Sequence, residues 1–202
     1  MILHDLTPGM HPRRVRILLA EKGVVIERRE VDAMAGANAA PAFRTLNPLG
    51  KLPVLELDDG STISESLAIC RYLDAIHPEP PLMGSSPRER AHIDMWTLRM
   101  EYELSRPIAE VFLHSGEFYR NRIAQVPEVA ACARARALET MAWLDRELGE
   151  RSFIAGSQYS MADIVAQCAL VLGKAVGLRP PPELAHLTRW FSAVAARPTA
   201  RA

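Results

Sequence analysis

Two neighbouring features of the chain carry groups that could bind a small charged molecule. The first is Glu65-Ser66, placed where Leu67, Ala68, Ile69, Tyr72 and Leu73 begin to recur at helical spacing. A helix start exposes N–H groups and the positive end of the helix dipole, which favour an anion. A carboxylate beside them can hold an ammonium. Together they suit a zwitterionic amino-acid group; the plainer alternative is an ordinary cap by Ser64 or Ser66. The second feature is Leu52-Pro53, at the entry to the apolar run Val54, Leu55 and Leu57. Proline cannot donate to a sheet ladder, so it belongs at a strand's first residue or on an edge. A cis bond there would turn the N–H and C=O of Leu52 outward to a ligand, although most bonds before proline are trans.

Several elements must position these groups. Asn47-Pro48-Leu49-Gly50 has the composition of a turn. Asp58-Asp59-Gly60 closes the strand at Val54–Leu57 and opens a hairpin onto Thr62-Ile63. Further upstream, Ile2–Leu6 reads as a strand and Thr7–His11 as a loop. Pro12 falls in the first turn of a helix with an apolar face of Val15, Ile17, Leu18, Leu19 and Ala20, stopped by Gly23. Val24-Val25-Ile26 opens a second strand, with Glu27–Glu30 in or just past it, closing on Val31. Strand, helix and strand make a βαβ unit with parallel strands. Ala33–Ala40 is weakly patterned and reads as a mobile loop. Pro41–Leu46 reads as one or two helical turns.

Beyond the run His77–Pro87, dense in Pro, Gly and Ser, only helical patterns follow. A long helix is expected from Arg88 to about Glu117, kinked or divided at Pro107. Another runs from Glu128 to Leu148 and is ended by Gly149. Ser160-x-x-Asp163 before an apolar run is a capping box in its Asp variant. A last helix covers Leu184–Ala196 after three prolines. The expected division is residues 1–77, a linker at 78–87, and a helical domain over 88–202.

Composition narrows the function. The chain has 202 residues, a net charge of zero and 49% hydrophobic residues. That suffices for a sizeable core and carries no basic footprint for nucleic acid or an acidic membrane. No apolar stretch is long enough to span a bilayer. The first fourteen residues lack the apolar region of a signal peptide, which points to the cytoplasm. Cys70, Cys132 and Cys168 are far apart, and the six histidines form no ligand-spaced pair, so neither a disulfide nor a metal site is expected.

The run Asn-Pro-x-Gly-Lys-x-Pro-x-Leu, then Asp-Gly, then Glu-Ser-x-Ala-Ile-x-x-Tyr-Leu, over 47–73, resembles the glutathione-binding half of the soluble glutathione transferases. The capping-box region at 153–163 resembles a helix start in their C-terminal domain. The likeness covers nearly the whole chain. It implies an α+β fold: an N-terminal thioredoxin-like βαβαββα domain followed by an all-α domain. It implies that Pro53 is cis, that Leu52 pairs with the cysteinyl backbone of glutathione, and that Glu65-Ser66 holds the γ-glutamyl end. Lys51 could pair with a carboxylate of the same molecule. It further implies a homodimer, with Arg71, Asp74 and Arg90 among plausible interface residues.

The resemblance also implies a thiol made nucleophilic as its thiolate, from a free value of about 8.5. The family's donor is a Tyr or Ser after the first strand, or a Cys in some members. This chain has none of these before Ser61. Thr7 is the first candidate, His11 the second, and the backbone N–H groups of Gly9–Arg13 the third. Gly9, Met10, Arg99, Tyr102, Arg106 and Phe112 are candidates to meet a small apolar electrophile, between the loop and the long helix. Glutathione is the expected co-substrate, without a metal. The competing expectations are a glutathione-dependent isomerase, dehalogenase or peroxidase on the same scaffold, and a non-catalytic interaction or stress-regulatory protein.

Overall fold

The structure is a computed structural model describing residues 1–202. It divides into two compact units, Met1–Pro81 with Arg201–Ala202, and Leu82–Ala200.

The first unit is built on a four-stranded sheet of order β2-β1-β3-β4. Its strands are β1 (Ile2–Asp5), β2 (Glu27–Glu30), β3 (Val54–Glu56) and β4 (Thr62–Ser64). β1 and β2 are parallel, joined through helix α1 (Met10–Glu21), and β1 pairs antiparallel with β3. The hairpin falls at the expected turn, where Gly60 takes φ 83°. Helices α2 (Pro41–Leu46) and α3 (Ser66–Ile76) complete the unit. Leu3, Val15, Ile17, Leu18, Val54, Leu55, Ile69 and Leu73 are buried. Each such side chain contributes about 1.5–3 kcal/mol by leaving water.

Two local expectations change. The second strand, expected to open at Val24 and to hold Glu27–Glu30 in or just past it, is confined to the charged run Glu27–Glu30, whose four residues are all exposed. Val25, read from its apolar neighbours as a strand residue, is 95% exposed. The stretch read as a mobile loop contains a 3-10 turn, Ala37–Ala39, and Asn38 donates from Nδ2 to the carbonyl of Gly50 at 2.8 Å. Gly50 sits at φ 62°, and a Cβ there would lie 2.8 Å from the carbonyl oxygen of Asn38. Only glycine lets these two loops come so close.

The second unit is helical: α4 (Pro87–Arg99), α5 (Arg106–Ser115), α6 (Pro127–Glu147), α7 (Met161–Lys174) and α8 (Ala185–Ala195). The division expected near Pro107 is present: the stretch over 88–117 is α4 and α5 joined by a π-helical segment, Met100–Ser105. Pro107 supplies the reason. It has no N–H to give the carbonyl of Glu103, and its ring crowds that oxygen. The hydroxyl of Thr140 on α6 donates to the Glu103 carbonyl instead, at 2.9 Å. Helix α4 starts in a capping box formed by Ser86 and Glu89.

The Ser160–Asp163 box opens α7, whose residues 161–170 are all buried. Asp163 accepts at Oδ1 from the N–H of Ile154 (2.9 Å) and Trp190 Nε1 (2.7 Å). At Oδ2 it accepts from the N–H and hydroxyl of Ser160 (2.9 and 3.0 Å). Burial pushes its carboxyl up to about 6, against these donors, which favour the anion. No helix of the chain is long and apolar enough to cross a membrane.

Candidate functional site

In the first unit, the Leu52-Pro53 bond is cis. Pro53 is buried just ahead of β3, and Leu52 packs against a small core of Val31, Phe43 and Val54. The preceding turn is organised by Asn47. Its Oδ1 accepts from the N–H of Leu49 at 3.1 Å, and its Nδ2 donates to the carbonyl of Lys51 at 2.9 Å. The side chain of Lys51 is exposed.

Glu65 joins β4 to α3 and is the one non-glycine residue with positive φ, at φ 68° and ψ 116°. A side chain in this region costs of order 1–3 kcal/mol, and such outliers cluster at ligand-binding positions. The geometry leaves Glu65 exposed at the helix N-terminus while Ser66, the first helical residue, is buried. The Ser66 hydroxyl accepts from Nη1 of Arg14 at 3.3 Å.

The loop after β1 behaves differently from expectation. Thr7 is exposed, but its hydroxyl donates to Oε2 of Glu30 at 2.9 Å, and its N–H donates to Oε1 at 2.7 Å. A hydroxyl has one proton to donate, and here that proton is committed. Helix α1 begins at Met10 with Gly9 as its N-cap, and no acidic residue lies in its first turn. Met10, expected to meet an electrophile, is buried at 8% exposure, and Gly9 is half-buried.

His11, half-buried in that turn, is held down to about 3 by burial first, then by the positive charges of Arg14 and Lys51. Its ring is therefore neutral at neutral pH and can donate one N–H but carries no charge. The linkage has a definite sign. The unfolded chain takes up this proton below about 6.5, whereas the folded chain does not until about 3. Stability from this group is therefore full above about pH 6.5 and falls as pH drops toward 3. Urea melts from pH 7 to pH 4 should show a shallower decline for His11→Gln than for the parent; parallel declines would place the ring in water.

The remaining candidates lie in the second unit. The Arg99 guanidinium sits over the Trp96 ring, 4.8 Å from its centroid. Arg106 pairs with Glu110 at 3.3 Å. Phe112 stacks on Phe118 at 6.4 Å and meets Tyr119 edge-on at 5.6 Å. Tyr102, on the π-helical segment, is 53% exposed. Asp74, expected at an interface, is buried in the first unit and paired with Lys22 at 2.7 Å.

Sequence reasoning missed Arg14 and Arg16, which are buried at 1% and 6% exposure. Both flank Val15 on the buried face of α1, and nothing local in the sequence marks them as buried. Arg14 and Lys51 bring positive charge to the α1 N-terminus at His11, an arrangement that attracts anions, while the charge of Arg16 is paired with Asp5.

The family model described as the glutathione S-transferase N-terminal domain matches residues 10–76, and that of the C-terminal domain matches 111–198. Glutathione S-transferase 2 of Saccharomyces cerevisiae is 36% identical over 210 residues, covering 100% of this chain and 88% of that protein. Elongation factor 1-gamma 1 of Oryza sativa is 30% identical over 95% of this chain, which spans only 45% of that protein. The crystal structure of a glutathione S-transferase domain-containing protein from Marinobacter aquaeolei matches with a TM-score of 0.95 and 38% identity, covering 99% of this chain and 100% of that one.

Proposed function

The chain belongs to the glutathione S-transferase family, and from that premise we propose that it binds glutathione in its first unit and lowers the pKa of the thiol for attack on a small, largely apolar electrophile. The observation that carries this reading is Glu65, an exposed carboxylate held at φ 68° at the N-cap of α3. In the proposal Glu65 takes the γ-glutamyl ammonium and the α3 N-terminus at Ser66 takes the neighbouring carboxylate. Leu52 meets the cysteinyl backbone through its N–H and C=O, and Lys51 faces the glycyl carboxylate.

The thiol falls to the α1 N-terminus. The Thr7 proton is donated to Glu30, and His11 is a neutral donor at most. Pro12 has no N–H, and those of Gly9 and Arg13 are donated to the carbonyls of Leu6 and Gly9, so the reading places the thiol at the first-turn N–H of His11, with the helix dipole behind it. Such an end is worth about 0.3–2 kcal/mol to an adjacent anion, which corresponds to a fall of up to about 1.5 units in thiol pKa. The thiolate then forms a carbon–sulfur bond as the electrophile's leaving group departs with the bonding pair.

A calorimetric titration with glutathione, alongside turnover of a chlorinated nitroaromatic, tests the reading. Saturable binding with turnover is expected; no heat at millimolar glutathione would sink it. Binding without turnover of any electrophile would favour a second reading, an interaction module. The match to elongation factor 1-gamma 1 of Oryza sativa, whose name carries no transferase activity, is in keeping with that alternative.

Glu65→Gly separates ligand binding from folding. Glycine adopts positive φ without a Cβ penalty, so the variant should melt no lower than the parent. Loss of a charged hydrogen bond, about 1.5–3 kcal/mol, should weaken glutathione binding roughly 10- to 150-fold. Equal affinities would remove Glu65 from the site.

We extend the proposal to a cytoplasmic homodimer. Light scattering should give about twice the 22.4 kDa chain mass; a monomer at micromolar concentration would contradict it.

A further inference from the structure

We propose that Arg16 is a positioning residue for the thiol, fixing the loop Leu6–Gly9 and through it the direction of the first N–H groups of α1. The proposal rests on the reading that one of them, that of His11, stabilises the thiolate of bound glutathione.

The loop is gripped from two sides. On one side, Glu30 accepts both the N–H and the hydroxyl of Thr7. On the other, Arg16 donates from Nη2 to the Thr7 carbonyl at 2.7 Å and from Nη1 to Asp5 Oδ1 at 2.7 Å. Asp5 is fully buried. Its Oδ1 also accepts the N–H of Leu6 at 2.8 Å, and its Oδ2 accepts Nε of Arg28 at 2.9 Å. The parallel register sets Leu3 beside Arg28 and Asp5 beside Glu30. Arg28 and Glu30, two residues apart, therefore share one face of β2 and reach the end of β1 together. Charges alternate from Glu30 to Arg28 to Asp5 to Arg16 around one four-residue loop.

The loop has little freedom inside this frame. Pro8 fixes its own φ. The N–H of Gly9 closes onto the Leu6 carbonyl at 2.7 Å, and a Cβ on Gly9 would lie 2.9 Å from that oxygen and from the Pro12 ring. Gly9 is the N-cap of α1, so the direction of the helix's first N–H groups follows from where Thr7 is held. A planar guanidinium serves a carboxylate and a carbonyl in two directions at once, which a lysine ammonium on a flexible stem does not hold as rigidly. Misplacing a reacting group by about 1 Å can cost on the order of a hundredfold in rate.

The test is Arg16→Lys, which keeps the charge beside Asp5 and loses the fork. Three quantities are measured on parent and variant: affinity for glutathione, thiolate absorbance of bound glutathione against pH, and turnover against pH. The expected variant binds glutathione within about twofold of the parent, with its bound thiol titrating about one unit higher. Turnover falls about tenfold below the thiol's pKa and recovers as pH rises above it. A merely structural role would lower turnover equally at every pH and leave the thiol titration unmoved, and that result overturns the proposal. If Arg16→Lys does not fold, Arg28→Met is read the same way. Its side chain is 46% exposed, and removing it frees Asp5 to swing; a smaller rise is expected, and curves that overlay the parent's overturn the proposal. A parent whose bound thiol titrates like the free thiol overturns the underlying reading, and this proposal with it.

Discussion

Lys22→Met should be among the most damaging single substitutions in the chain. The Lys22 side chain is fully buried: its ammonium forms an ion pair with Asp74 Oδ1 at 2.7 Å and donates to the carbonyls of His77 at 2.7 Å and Pro80 at 2.8 Å. It ties the end of α1 to the end of α3 and to the segment that leaves the first unit. Methionine matches the stem but removes the charge. The buried Asp74 carboxylate is then left uncompensated, along with two carbonyls. Breaking one partner of a buried pair costs about 3–5 kcal/mol. Denaturant melts followed by circular dichroism should show that loss. The double variant Lys22→Met with Asp74→Leu should recover much of it, because no charge then remains buried. A single variant within 1 kcal/mol of the parent would mean that Lys22 reaches water.

Asp163→Ala is expected to cost a comparable amount in the second unit. Truncation leaves the N–H groups of Ile154 and Ser160 and the Trp190 indole without an acceptor, at a position with 0% exposure. Each buried unsatisfied donor costs about 1–3 kcal/mol, so a total of at least about 3 kcal/mol follows. The Trp190 bond spans 27 residues and fastens α8 to the start of α7. The tryptophan fluorescence transition, to which Trp190 contributes beside Trp96 and Trp143, should therefore move to lower denaturant together with the far-ultraviolet signal. A loss near 1 kcal/mol, with only helix content changed, would reduce Asp163 to an ordinary cap.

What the sequence made legible was local. The hairpin at Asp59-Gly60, the glycine stop after α1 and the box at Ser160–Asp163 depend on residues within a few positions of one another, and each stands where it was expected. The failures share one cause: the deciding partner is far along the chain. The Thr7 hydroxyl looked available because Glu30, 23 residues on, carries no local sign of reaching it. The break at Pro107 was legible but its π-helical form was not, because the hydroxyl that meets the Glu103 carbonyl comes from Thr140, 37 residues away. Val24-Val25-Ile26 looked like the opening of the strand by composition, yet the ladder is confined to Glu27–Glu30, where Arg28 and Glu30 find partners at the end of β1 and in the loop beyond it. Arg14 and Arg16 were passed over because buried arginine is rare unless paired, and Arg16's pairing partner, Asp5, belongs to another element.

The charged strand β2 has a bearing on how the protein survives at high concentration. It is an outer strand of its sheet, so one row of its backbone N–H and C=O groups has no neighbouring strand. Such a row is a template onto which a second molecule can add a strand. Had the ladder formed on Val24-Val25-Ile26, that template would have been apolar as well. Instead it is Glu-Arg-Arg-Glu, exposed throughout, with Arg29 and Glu27 paired to each other at 2.8 Å. An incoming strand would have to lay its backbone against four exposed charged residues to gain its backbone hydrogen bonds. The charges on this outer strand thus guard the sheet against fibrous self-association.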